Sequence, residues 1–87
     1  MYVILSCDVR DERAGVTRKI VRKYLRPVQR SVYEGSITES RLERLKAELL
    51  RKLDCEEDSV RIYKLQSLRY AELDELGVVP AADSTVI

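Results

Sequence analysis

The sequence predicts one α+β domain with its helices packed on a sheet, and three observations predict it. Apolar residues alternate with period two at the start of the chain and again at Ser59–Leu65, and two intervening segments repeat at helical spacing. The third is length: 87 residues make one small core with a modest stability margin, so help from a second copy is expected from the outset.

Residues 2 to 8 read as a strand, with Val3, Leu5 and Cys7 on one face and Tyr2, Ile4, Ser6 and Asp8 on the other. A helix follows from Glu12 or Ala14 to Leu25, ended by Pro27, which lacks an N–H and drives the preceding residue out of helical conformation. At about 100° per residue, Val16, Ile20, Val21, Tyr24 and Leu25 fill one half of its circumference. Arg18, Lys19, Arg22, Lys23 and Arg26 fill the other. Residues 28 to 37 have strand propensity from Val28, Val32, Tyr33 and Ile37, with no recognisable two-residue turn among them. A second helix is expected from Thr38 to about Leu53, with Thr38 or Ser40 as N-cap and Ser40-Arg41-Leu42-Glu43 fitting a capping box. Leu42, Leu45, Leu49 and Leu53 form its apolar stripe. Ser59–Leu65 is the closing strand, with Val60 and Ile62 on one face and Tyr63 and Leu65 on the other. Beyond it, Val78-Val79 and Thr85-Val86-Ile87 are candidate short strands.

This order is that of a ferredoxin-like β-α-β-β-α-β sandwich over residues 1–65, with 66–87 as a C-terminal extension. Both helices would cover one sheet face. The other face would carry Tyr2, Ile4 and apolar residues of the last strand, a patch of the kind that marks an interaction surface, and a sheet-to-sheet homodimer would cover it.

Charge is unevenly spread. Lys and Arg number 16 against 15 Asp and Glu, yet residues 10 to 30 hold eight basic and two acidic groups, a net +6 that leaves −5 elsewhere. A compact basic stretch on a near-neutral chain fits a polyanion partner; a solvated helix face is the plain alternative. The absence of His removes imidazole bases, Ser-His and Cys-His nucleophiles and His-containing zinc sites. Cys7 and Cys55 lack CxxC spacing and read as free thiols in a reducing compartment. No apolar run approaches the roughly 18 residues that span a bilayer, and no signal peptide is apparent, so a cytoplasmic protein without membrane contact is expected.

Asp8 is the candidate catalytic and metal-binding residue. It stands at the end of the first strand, beside the basic helix; its plain alternative is a turn former or cap partner. A two-fold axis through the helix-free face would bring two Asp8 carboxylates together, and like charges held close call for a cation such as Mg²⁺. Beside Arg18, Lys19 or Arg22, that ion would hold a phosphodiester and acidify the attacking water. There is no GxxxxGK[ST] or GxGxxG phosphate loop, and Val32-Tyr33-Glu34-Gly35 lacks the aromatic pattern of RNA-binding ferredoxin-like domains. Tyr33 either stacks on a base or packs.

The first strand ending in Asp8, Val28-Gln29-Arg30-Ser31-Val32-Tyr33-Glu34-Gly35, Leu42-Glu43-Arg44-Leu45-Lys46 and Glu57-Asp58-Ser59-Val60-Arg61-Ile62-Tyr63 together resemble the second core CRISPR-associated protein family, the small partner of the CRISPR integrase. The resemblance runs from about Tyr2 to Leu65. It implies a homodimer sharing Mg²⁺ at Asp8, and metal-dependent endoribonuclease activity, with some members cutting duplex DNA. It also implies a role in spacer acquisition for antiviral defence, where the dimer bridges integrase subunits along a DNA duplex. By the same resemblance, Arg13, Arg18 and Lys19 fall at phosphate-contacting positions, and Ser31 and Tyr33 match the family's Ser-Val-aromatic motif. Cys7 stands where many members have Tyr, and Pro27 where many have a basic residue, a contact that Arg26 or Arg30 would replace. The extension from Leu76 onward is expected to cross the dimer or touch the integrase. The alternative is a toxin-like endoribonuclease on the same fold with no integrase partner.

Overall fold

The structure, a computed structural model, describes residues 1–69 and 71–78. The elements run β1 (Tyr2–Asp8), α1 (Asp11–Val21), β2 (Arg26–Gln29), β3 (Val32–Ser36), α2 (Glu39–Lys52) and β4 (Ser59–Leu65). They form a four-stranded sheet of order β2-β3-β1-β4 in which every neighbouring pair is antiparallel. This is the expected ferredoxin-like arrangement, with β1 central and flanked by β3 and β4.

The period-two pattern of β1 sends Val3 and Leu5 into the core. There they meet Ile20 and Val21 of α1, Leu42, Leu45 and Leu49 of α2, and Tyr33 and Ile37. Both helices therefore share one sheet face. On the other face Ile4 and Leu65 are half-buried and Tyr63, opposite Ile4, is 51% exposed, so some apolar surface remains there, but Tyr2, expected in the same patch, is buried.

Three local expectations are corrected. α1 ends at Val21 rather than Leu25: Lys23 N–H donates to the Ile20 carbonyl and Tyr24 N–H to that of Val21, a tightened turn that closes the helix and releases the chain into β2. Arg26 consequently lies on β2, not on the basic face of α1. Pro27 is accommodated within β2 because that strand is a sheet edge, where a missing N–H breaks no central ladder. A two-residue connection, Arg30-Ser31, does join β2 to β3. Among the described residues no non-glycine residue has positive φ, and the register shifts between Pro27 and Gln29, so an irregularity in β2 accommodates what an Asn-Gly turn would do by left-handed backbone.

At α2 the cap is Thr38, whose hydroxyl accepts from Arg41 N–H at 3.2 Å; the helix begins at Glu39, which places Ser40 inside it. Cys7 and Cys55 are free thiols. Of the expected tail strands, Val78 sits in an exposed bend, and Val79 and residues 85–87 lie outside the described residues.

Candidate nucleic-acid interface and metal-ligand position

The candidate site is built where β1 ends, α1 begins and the β2–β3 turn passes alongside. Cys7 N–H donates to the Ser31 carbonyl at 3.0 Å, which ties the turn to the end of β1. Between this turn and α1 lies a small open cleft of about 50 Å³, lined in part by Cys7, Thr17, Arg18, Arg30, Ser31 and Tyr33. Four residues singled out in the sequence thus converge: two arginines from separate elements, a hydroxyl and a phenol ring.

Arg18 and Arg30 are exposed and, among the described residues, make no ion pair, so both guanidiniums are free for an anion. Lys19 and Arg22, also exposed and likewise without an ion pair, extend the positive surface along α1. Part of this basic content serves the helix itself: Asp11 and Glu12 in the first turn and Arg18 and Lys19 in the last complement its dipole.

Other residues are placed differently. Tyr33 is only 3% exposed, so it packs in the core with an edge at the cleft and cannot stack on a base as placed. Arg26 is half-buried beside Glu34, 3.5 Å from its carboxylate. Arg13 is drawn inward, with Nε 2.5 Å from Asp58 Oδ2 and Nη2 3.0 Å from Glu57 Oε1.

Asp8 is exposed at the end of β1, paired across the ladder with Ser59. It does not line the cleft, although its neighbours Cys7 and Val9 do. By strand alternation its side chain belongs to the helix-free side. The candidate cation ligand and the candidate phosphate cleft are therefore adjacent but separate. Among the described residues no three His, Cys, Asp or Glu side chains cluster as a metal site. Asp8 supplies a hard carboxylate of the type Mg²⁺ prefers, so the donor chemistry fits, but a single carboxylate leaves most of an octahedral shell to water or other oxygen ligands.

Burial, and after it the Asp8 carboxylate, push the Cys7 thiol up, with Arg18 opposing. The residue that sequence reasoning missed is Asp58. It entered the sequence reading only within the Glu57–Tyr63 stretch that carries the resemblance, and its role was not visible there because the side chain and backbone it holds at Arg13 and Arg10 lie 45 and 48 residues away.

Comparison with known proteins agrees with this architecture. The profile of the family described as CRISPR associated protein Cas2 matches residues 1–72. The chain is 43% identical over 86 residues to the CRISPR-associated endoribonuclease Cas2 of Thermotoga maritima, covering 99% of each. It is 44% identical over 83 residues to the protein of the same name from Thermococcus kodakarensis, covering 95% of this chain and 98% of that one. A crystal structure described as cas2 superposes with a TM-score of 0.84 at 34% identity, over 94% of this chain and 92% of the other.

Proposed function

The chain belongs to the Cas2 family of CRISPR-associated proteins, and from that premise we propose that it is a CRISPR-associated endoribonuclease acting as a homodimer. Exposed Asp8 at the end of the central strand, one residue from a cleft carrying Arg18 and Arg30, is the observation that supports this best. Asp8 of each copy would hold Mg²⁺ across the helix-free face. When bound, that ion supplies charge neutralisation at the phosphate and a more acidic water. Arg18, Arg30, Lys19 and Arg22 bind and orient the phosphodiester backbone, and Ser31 offers a hydroxyl at the same cleft. The test is Mg²⁺-dependent cleavage of single-stranded RNA and duplex DNA by wild type and Asp8→Asn. Loss of cleavage with retained binding is expected, and equal activity would remove Asp8 from the reaction.

A second reading is favoured by the separation of Asp8 from the cleft. A phosphate-binding surface that does not include the carboxylate can work without cleavage, as a DNA-bridging element between integrase subunits in spacer acquisition, with residues 66–87 contacting the partner. Duplex and integrase binding that survives Asp8→Asn but falls on neutralising Arg18, Lys19 and Arg22 supports it. Genomic neighbourhood, with or without a CRISPR array and integrase gene, separates both readings from a toxin-like endoribonuclease.

A further inference from the structure

The best-satisfied polar group among the described residues lies beside Asp8. The Asp58 side chain is wholly withdrawn from solvent, yet both its oxygens are used. Oδ1 accepts from Arg10 N–H at 2.9 Å and Arg13 Nη2 at 3.1 Å. Oδ2 accepts from Arg13 Nε at 2.5 Å and Asp54 N–H at 2.9 Å. Four donors thus reach one carboxylate from the start of α1 and from the connection leaving α2.

The arrangement encloses Asp8. From Asp8 the chain runs through Val9 to Arg10, whose N–H binds Asp58; Asp58 is bonded to Ser59, and Ser59 pairs with Asp8 across the β1–β4 ladder. This small ring fixes both the end of β1 and the strand beside it. Arg10 caps α1 without a side-chain hydrogen bond of its own, so Asp58 also supplies what the N-terminus of that helix lacks.

We infer that Asp58, braced by Arg13, is a positioning residue for Asp8: it sets the direction in which the Asp8 carboxylate leaves the sheet. The inference rests on the reading of Asp8 as a metal ligand. A shared site on a two-fold axis demands it, because a single carboxylate per copy must meet its counterpart at a fixed separation.

The test uses the full chain as wild type, Asp58→Asn, Arg13→Lys, Glu57→Gln and Asp8→Asn, each first checked for folding by thermal unfolding. Arg13→Lys keeps the charge and loses the two-pronged contact, so it carries the test if Asp58→Asn does not fold. The readouts are hydrogen exchange at the Asp8 amide and binding of Mn²⁺ followed by its electron paramagnetic resonance. For folded Arg13→Lys and Asp58→Asn, exchange at Asp8 should quicken about tenfold while Val3 and Leu5 stay protected. Mn²⁺ affinity should fall about tenfold or more, with RNA affinity unchanged. Glu57→Gln removes only an exposed partner of Arg13 and should match wild type. Unchanged exchange, or unchanged Mn²⁺ affinity where wild-type binding depends on Asp8, overturns the inference. Equal Mn²⁺ binding by wild type and Asp8→Asn overturns the metal reading instead, and the exchange rates then still decide whether Asp58 fixes Asp8.

Discussion

Asp8 and Asp58 are both aspartates near the same sheet end, and their surroundings give them opposite duties. Asp8 is exposed and, among the described residues, makes no side-chain hydrogen bond or ion pair, so its replacement by Asn should change stability by no more than about 0.5 kcal/mol. An unaltered thermal midpoint for Asp8→Asn, beside a loss of metal-dependent cleavage, checks that the residue is kept for chemistry rather than folding. Asp58 is the reverse case. The Arg13 guanidinium, helped by the Arg10 and Asp54 N–H groups and opposed by burial, holds its carboxyl well below the ordinary value of 3.8. A carboxyl whose folded value is depressed contributes stability that is fully present above the unfolded value and is lost as pH falls toward the folded one. Chemical denaturation from pH 7 downward should therefore show stability declining below about pH 4. Asp58→Asn should be less stable at neutrality and should flatten that decline; an equal decline in both proteins would assign the acid sensitivity elsewhere.

At the scale of elements, legibility followed the range of the interactions. β1, β4 and α2 were readable because their burial pattern is periodic along the chain, and Leu42, Leu45 and Leu49 occupy the core that their spacing implied. Leu45→Ala should accordingly cost about 2–5 kcal/mol, measurable as a shift in denaturant midpoint without change of slope. Thr38→Ala should cost about 1 kcal/mol, because the hydroxyl that accepts from Arg41 N–H is the side-chain cap of α2. The β2–β3 turn was not readable, since Arg30-Ser31 makes its reversal without the left-handed residues that announce a tight hairpin. The end of α1 differs for a related reason: the apolar wheel continues past Val21 into Tyr24 and Leu25, while the backbone already tightens at Lys23 and Tyr24. The candidate site divides the same way. Arg18, Arg30 and Ser31 were foreseen and do meet at one cleft. Arg13 was placed at a phosphate-contacting position by the family resemblance, and the sequence carries no trace of the carboxylate 45 residues away that it meets.

For the whole molecule, near-neutral net charge conceals an uneven distribution along the chain, +6 over residues 10 to 30 and −5 elsewhere, and the salt dependence of binding measures which of those cations touch the backbone. Arg13, Lys23 and Arg26, three of the eight cations between residues 10 and 30, are each already paired with a carboxylate. Arg18, Lys19, Arg22 and Arg30 are exposed and, among the described residues, have no such partner, and they lie on α1, on its closing residue and on the turn between β2 and β3. A protein that reads duplex DNA through phosphates alone releases counterions in proportion to its contacts, so the logarithm of affinity falls with the logarithm of salt by about 0.9 per contact. Replacing Arg18, Lys19 and Arg22 by Gln should flatten that slope by up to about 2.7 per protomer, with little dependence on DNA sequence. Replacing Lys23 and Arg26 instead should leave the slope nearly unchanged, because their charge is already spent on Glu48 and Glu34. Fluorescence anisotropy of a labelled duplex across a salt series distinguishes the two sets. Equal flattening by both would mean that the intramolecular pairs open on binding and that the interface extends past the cleft toward α2 and the β2 edge.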